Sequence, residues 1–348
     1  MTGHPENGTS PVGASSGGTV RPDEFVELTS PFRAELLAHC YQMTGSVHDS
    51  EDLLQETMLR AWRAFGSFEQ RAGMRTWLYR IATNVCLNAL TRGPQRRMLP
   101  AGLGAAASDS GGPLQLAGPE VAWLEPIPDR MIAGRGDPAE LVLARESIRL
   151  AFIASLQYLS PRQRAILLLR DVVDWTAREV AELLGTSVPA VNAALLRARR
   201  AIAAVRGGES GLDDPDDPAT LALLDRYVAA FEHADMAALA ELLRSDAEVQ
   251  MPPYSTWFRG REPIVRFFAA RVTAPGQVRI VRTRANGQPA LAIYLGTASG
   301  GYAPNSVHLI SSASGQITTI VAFVRPAFLG PFLPLAGPPA TGTSANPL

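Results

Sequence analysis

DSEDLLQETMLRAWRAFGSFEQRAGMRTWLYRIATNVCLNAL, running from Asp49 to Leu90, spells two helices joined by a short loop. In the first, Leu54, Met58, Ala61, Trp62 and Phe65 recur at one face of a 3.6-residue period. Asp49, Asp52, Gln55, Glu56, Arg60 and Arg63 take the other side, acids first and arginines last. That order suits the helix dipole, and Glu56 with Arg60 is a favourable i,i+4 pair, so an ordinary surface helix also fits.

The second helix repeats the plan with different chemistry. Leu78, Ile81, Ala82, Val85 and Ala89 form its apolar stripe, while Thr76, Arg80, Thr83, Asn84 and Leu87 share another face. No carboxylate occurs between Arg71 and Leu90. The preceding loop offers Phe68, Arg71 and Arg75, giving arginines for phosphates, amides for base edges and an aromatic ring for stacking. For Trp77 and Tyr79 the alternative is the core, which is the favoured reading for Trp77.

D-x-x-D-L-L-Q-E-T-x-L-R-A-W-R followed by R-T-W-L-Y-R-I-A-T-N resembles region two of a bacterial RNA polymerase sigma factor of the extracytoplasmic-function class. The resemblance implies that Asp49, Asp52, Gln55 and Glu56 dock on the clamp helices of the polymerase's largest subunit. It also implies that Phe68, Arg71, Arg75, Arg80 and Asn84 take the melted promoter element nearest the start site.

The whole chain agrees with a folded multidomain protein: 348 residues, 46% hydrophobic, with a net charge of -1. Every basic residue other than histidine is Arg, which suits bidentate phosphate contacts but equally reflects a GC-rich coding sequence. Only Cys40 and Cys86 are present, with no C-x-x-C and no histidine cluster, so no disulfide framework, metal site or cofactor is expected. No basic-then-apolar leader and no long apolar run is visible, which predicts a cytoplasmic protein without membrane contact.

Residues 1–22 are rich in Gly, Ser, Thr and Pro and read as a disordered tail. Phe25, Leu28, Phe32, Leu36 and Leu37 begin a helical domain over 23–97. Residues 98–137 form a long linker with an apolar island, Val121 to Asp129, in which Trp123, Leu124 and Pro126 need a surface to cover them. That surface is either one of the chain's own domains or polymerase. The island resembles the Trp-Leu-Pro-Glu-Pro linker motif of extracytoplasmic sigma factors that carry an extra C-terminal domain.

Asp137-Pro138 opens a second helical domain over 138–206. Ser160 caps a helix with an apolar run at Ala165–Leu169, Thr176 and Glu179 form a capping box, and Gly185 precedes a new helix capped by Ser187 with Pro189 in its first turn. Two short helices around a Gly-bearing turn predict a helix-turn-helix whose second helix enters the major groove. From Val188 to Arg206 there is no acid, against four arginines. The segment is similar to region four of the same sigma class, which implies that Ser187, Val188, Pro189, Asn192, Ala193, Leu196, Arg197 and Arg200 form the upstream-element surface. Asn192, Ala193 and Leu196 would face bases; Arg197 and Arg200 would take phosphates or a guanine. Where Asn192 stands, relatives often carry Arg, and Asn favours adenine. The same resemblance implies contact of this class with the flap of the second-largest polymerase subunit.

Residues 207–217 are acidic and read as a solvated linker. A third domain over 218–335 follows, with helices and then strand-like runs at 247–251, 278–284, 290–295, 306–311 and 317–325, and a flexible tail over 336–348. Helices before a curved antiparallel sheet predict an α+β cone. With M-P-P-Y-S-T-W-F-R-G-R-E-P-I, it resembles the SnoaL-like branch of the nuclear transport factor two superfamily. Tyr254, Trp257 and His308 are candidates to line a pocket in the cone. After Glu262 the chain has no Asp or Glu, so a catalytic carboxylate pair is not expected, and a lone histidine on a strand also fits a structural role.

The expected fold class is therefore multidomain: two all-α sigma domains followed by an α+β SnoaL-like cone. The expected function is that of an alternative sigma factor, not an enzyme, in which the third domain regulates in cis and no separate zinc-type anti-sigma factor is required. The alternatives are a SnoaL-like enzyme or small-molecule-binding protein recruited to DNA by its helical half, and a helix-turn-helix repressor. The repressor would have no use for an acidic clamp-binding helix.

Overall fold

A computed structural model of the chain describes residues 22–68, 73–94, 96–132, 145–206, 211–298, 300–324 and 332. The tails expected at 1–22 and 336–348 fall outside this set except for Pro22, as do the Asp137-Pro138 helix start and Arg71.

Four helices build the first unit: α1 (Pro22–Thr29), α2 (Arg33–Thr44), α3 (Val47–Ala64) and α4 (Met74–Leu90). Gly45, at φ 72°, ends α2 in the left-handed conformation, and the Ser46 side chain caps α3 by accepting from the Asp49 amide. Leu36, Tyr41, Met43, Leu78, Ala82 and Cys86 are fully or almost fully buried between them. Thr83, read from the sequence as part of an exposed polar face, is buried and bonds His39 Nε2 at 3.0 Å.

After the short α5 (Asp129–Ile132), the second unit comprises α6 (Leu150–Leu156), α7 (Pro161–Asp171), α8 (Ala177–Leu184) and α9 (Val188–Arg206). Both expected starts are capping boxes, Ser160 with Gln163 and Thr176 with Glu179, and Gly185 turns the chain at φ 57°. The two helical units share one hydrophobic core. Arg164 sits at its centre, fully buried, donating from Nε to the Leu156 carbonyl at 3.0 Å and from Nη1 to the Met43 carbonyl. These oxygens end α6 and α2, where helices leave carbonyls without intrahelical partners and where the dipole favours a cation. Burial lowers the Arg164 pKa to about 10, so it remains charged at neutral pH.

The third unit begins with α10 (Pro218–Glu232) and α11 (Met236–Leu242), followed by β1 (Leu243–Gln250), β2 (Trp257–Arg259), α12 (Arg261–Ala269), β3 (Val278–Ala285), β4 (Gln288–Gly296), β5 (Tyr302–Ala313) and β6 (Gln316–Phe323). The strands make one sheet in the order β2-β1-β6-β5-β4-β3, antiparallel except for the β1–β6 pair. Alternate residues face opposite sides of a strand. Val249, Ile280, Leu291, Ile293, Ile310 and Ile320 pack against the helices, while Ala290, Val307, Leu309, Val321 and Phe323 make a second cluster with Leu150 of α6 and Leu99 of the linker. Both faces of the sheet are thus covered, the second by the sigma-like half. The five strand-like runs fall on β1 and β3–β6, with Met251 and Val324 just past the strand ends and residue 325 outside the described residues; the three-residue β2 and α12 were not legible beforehand.

The acidic stretch differs from the solvated tether read in the sequence. Its described part docks on the sheet: the Asp213 amide donates to the Ser312 carbonyl at 2.8 Å, and the Asp213 carboxylate accepts from the amides of Ser314 and Gly315. Three residues further on, Asp216 pairs with Arg284 at 2.8 Å and Arg145 at 3.7 Å. The carboxylates serve the hairpin and its neighbours rather than water alone.

Candidate polymerase and promoter interfaces

On α3, Asp52 and Gln55 are exposed and Glu56 is half-buried; Glu56 pairs with Arg60 at 2.6 Å and Asp52 lies 3.8 Å from His48. Leu59, 50% exposed, and Trp62, 38% exposed, extend the same surface by one helical turn. Asp49 departs from this group, because Arg97 holds its carboxylate at 2.5 Å.

The α4 face is engaged within the protein. Arg75 pairs with Glu35 at 2.8 Å and lies over the Tyr79 ring. Arg80 reaches into the second unit, 3.6 Å from Glu182 of α8 and 6.0 Å from the Trp175 ring centre. Phe68 packs on Trp77 at 4.8 Å between ring centres, and Asn84 and, despite its ion pair, Arg75 are exposed to solvent.

On α9 the division of faces is sharp. Val191, Ala194, Leu195, Ala198 and Ile202 are buried, whereas Val188, Pro189, Asn192, Ala193, Leu196, Arg197 and Arg200 are exposed on one continuous face. Ser187 caps the helix, its hydroxyl accepting from the Ala190 amide at 3.4 Å.

The linker island packs on the chain's own domains. Trp123, Leu124, Pro126 and Ile127 are buried, and the Met98 amide and carbonyl bond Ala122 and Leu124 at 2.9 and 3.1 Å. Glu125 Oε2 accepts from Ser46 Oγ and the Val47 amide, both at 2.8 Å, so a linker carboxylate caps the exposed acidic helix. A Cβ at Gly45 would stand 2.6 Å from Leu124 Cδ2, which is why glycine, already at positive φ, suits this contact.

All modules meet at Asn286. Asn286 and Gly287 form the two-residue β3–β4 turn with φ 54° and 70°, the signature of a type I′ hairpin. The Asn286 side chain donates to the Tyr41 hydroxyl and to the Ile148 carbonyl, both at 2.8 Å, and accepts from the Ile127 amide at 3.1 Å. Its backbone amide donates to the Ile127 carbonyl at 2.9 Å, and Tyr41 donates onward to the Glu125 carbonyl at 2.7 Å. Beside it, Arg284 pairs with Asp129 at 3.1 Å and Asp129 accepts from the Gly287 amide at 2.8 Å.

Tyr254, Trp257 and His308 do not converge on one pocket. Trp257 pairs with Gln250 across the sheet, on the face opposite Val249, and its indole donates to the Gly104 carbonyl of the linker at 3.0 Å. Tyr254 bridges Leu116 of the same linker. His308 lies on the helix-covered face, its nitrogens 3.0 Å from Tyr227 Oη and from Ser306 Oγ. The cone interior around it is filled by Tyr227, Phe231, Phe258, Phe267 and Phe268, and burial lowers the His308 pKa to about 3. A neutral, doubly bonded imidazole among aromatic rings serves the core.

The family profile for Sigma-70 region 2 matches residues 28–97, that for Sigma-70 region 4 matches 149–202, and that for the SnoaL-like domain matches 224–324. The ECF RNA polymerase sigma factor SigG of Mycobacterium tuberculosis H37Rv is 48% identical over 307 residues, 87% of this chain and 82% of the relative. SigJ of the same strain is 31% identical over 252 residues, 70% and 72% of the two chains. The crystal structure of M. tuberculosis SigJ superposes with a TM-score of 0.57 at 24% identity, covering 90% of this chain and 99% of that one, and so shares the fold. The chain belongs to the extracytoplasmic-function RNA polymerase sigma factors. It is an alternative sigma factor with a SnoaL-like domain at its C-terminal side. Among the described residues no helix is long and apolar enough to cross a membrane.

Sequence reading missed Asn286, Glu125, Arg97 and Arg164. Asn-Gly between two strand-like runs is itself a hairpin signal, and Arg164 stands one turn before Leu168 on a buried stripe. Nothing local marks Arg97.

Proposed function

We propose that this sigma factor is held compact by its own C-terminal domain, and that release of the β3–β4 hairpin precedes productive promoter engagement. The carrying observation is Asn286, one side chain satisfying polar groups from region two, the linker and the start of region four. In this arrangement Arg75 and Arg80, two arginines of the face assigned to the melted strand, are engaged by carboxylates of the chain itself, while the exposed face of α9 is open to duplex DNA.

Asp52, Gln55 and Glu56 dock on the clamp helices of core polymerase, and Asp49 joins them once Arg97 swings away. Phe68, Arg71, Arg75, Arg80 and Asn84 take the melted element; Asn192, Ala193, Leu196, Arg197 and Arg200 read the upstream one, with region four also on the flap. Cis control by the third domain makes a zinc-type anti-sigma partner unnecessary. The natural divisions are 23–97, 98–137, 138–206 and 218–335, with catalysis having no place in the aromatic-filled cone. Reversal of Asp52 and Glu56 to Arg tests the docking face: co-elution with core polymerase is lost while helicity is kept. Unchanged co-elution would return α3 to an ordinary surface helix.

A further inference from the structure

Asparagine followed by glycine is the pair most prone to deamidation, because glycine offers the least hindered amide nitrogen to the neighbouring side-chain carbonyl. At Asn286-Gly287 the fold requires both residues. The junction needs the asparagine amide, which donates to Tyr41 Oη and the Ile148 carbonyl at 2.8 Å and accepts from the Ile127 amide at 3.1 Å. The next position needs glycine: its φ is 70°, and a Cβ there would stand 2.6 Å from the Arg145 carbonyl oxygen. Packing thus places the most labile dipeptide where the units meet. The closed junction also shields it. Asn286 is fully buried, and the Gly287 amide, the nitrogen that would attack, donates to the Asp129 carboxylate at 2.8 Å. Attack requires that amide proton to leave, and hydrolysis requires water. A carboxylate acceptor opposes the first and burial the second.

We propose that Asn286 is a deamidation site that reacts once the β3–β4 hairpin is released, and that the reaction makes release irreversible. The proposal rests on the reading of this hairpin as a restraint in cis. The Gly287 nitrogen bonds to Asn286 Cγ, the Cγ–Nδ2 bond breaks, and ammonia departs with the Gly287 amide proton, leaving a cyclic succinimide. Water then opens the ring to aspartate or isoaspartate. An ionised carboxylate only accepts, so Tyr41 Oη and the Ile148 carbonyl lose their donor. Isoaspartate also adds a methylene to the backbone of a tight turn. Reaction of a transiently opened site tracks the population of the open form, so the modification records time spent released.

Peptide mass spectrometry follows Asn286 in the full chain alone, in the urea-unfolded chain, and in holoenzyme on a duplex which that holoenzyme selects from a randomised library. Asn7-Gly8, the chain's other such pair, is the comparator in every sample. The free chain is expected to convert Asn286 at least about tenfold more slowly than the unfolded chain. Holoenzyme on the duplex should convert it several-fold faster than the free chain does, and so should free Tyr41→Phe, which removes one partner of the amide. Asn286→Asp, the product itself, should match Asn286→Gly in transcript per holoenzyme. Conversion as fast in the free chain as in urea overturns the proposal. Equal protection with and without the duplex, or wild-type output from Asn286→Asp, while Asn286→Gly still raises output, overturns the modification and leaves the restraint intact. Wild-type output from both variants overturns the two together.

Discussion

Asn286 Nδ2 lies 2.8 Å from the hydroxyl of Tyr41, joining residues 245 positions apart in the chain. The turn of a C-terminal hairpin thereby supplies a hydrogen bond to the first helical unit, and the same amide holds Ile127 and Ile148. Asn286→Gly preserves the left-handed backbone and removes only these side-chain bonds. Orphaning buried polar groups costs about 1–3 kcal/mol each, so urea unfolding should show a loss of about 2–4 kcal/mol. A loss below about 0.5 kcal/mol would mean that Asn286 contributes little to the junction.

Glu125 links the linker to the polymerase-facing helix. Glu125→Ala removes the acceptor for Ser46 Oγ and the Val47 amide and should destabilise the first turn of α3 by about 1–2 kcal/mol. Hydrogen exchange at residues 47–50 should accelerate accordingly, with weaker core binding. Unchanged protection there would show that Ser46 suffices as a cap.

Two buried imidazoles predict acid sensitivity. Burial holds the His39 pKa at about 4 and the His308 pKa at about 3, against 6.5 unfolded. The folded state therefore prefers both rings neutral, its stability is complete above pH 6.5, and it falls as the unfolded state gains protons below that value. Each ring accounts for a loss of about 2 kcal/mol by pH 5. His308→Gln should flatten the pH dependence between 7 and 5, read from denaturation midpoints; an unchanged slope would place the titrating groups elsewhere.

Arg80 and Glu182 couple the two helical units at 3.6 Å on a partly exposed surface. Glu182→Gln should alter folding by less than about 1 kcal/mol. It should nevertheless raise promoter melting, measured by fluorescence of a base analogue in the start-proximal element, because Arg80 is freed. Equal melting would show that Glu182 does not restrain Arg80.

Much of this arrangement was legible in the residues. The buried part of the α3 stripe, Leu54, Met58 and Ala61, the Thr176–Glu179 capping box and the acid-free run after Val188 are local signals that lie where their patterns place them, whereas Trp62 of the same stripe is exposed. What escaped was long-range. Arg80 pairs with Glu182, Glu125 caps Ser46, and Asp216 meets Arg284, and no periodicity encodes which distant carboxylate an arginine will find. The grouping of Tyr254, Trp257 and His308 failed for a related reason. Strand alternation sends Trp257 and His308 to opposite faces, but the register that decides this was not readable without the sheet.

The central claim is that the hairpin restrains the sigma activity in cis. Its most direct test is in vitro transcription by full-length protein and the Asn286→Gly variant, each saturating the same core polymerase on one promoter. The variant is expected to give several-fold more open complexes and transcript per holoenzyme at equal core affinity. Equal output from the two proteins would contradict the claim.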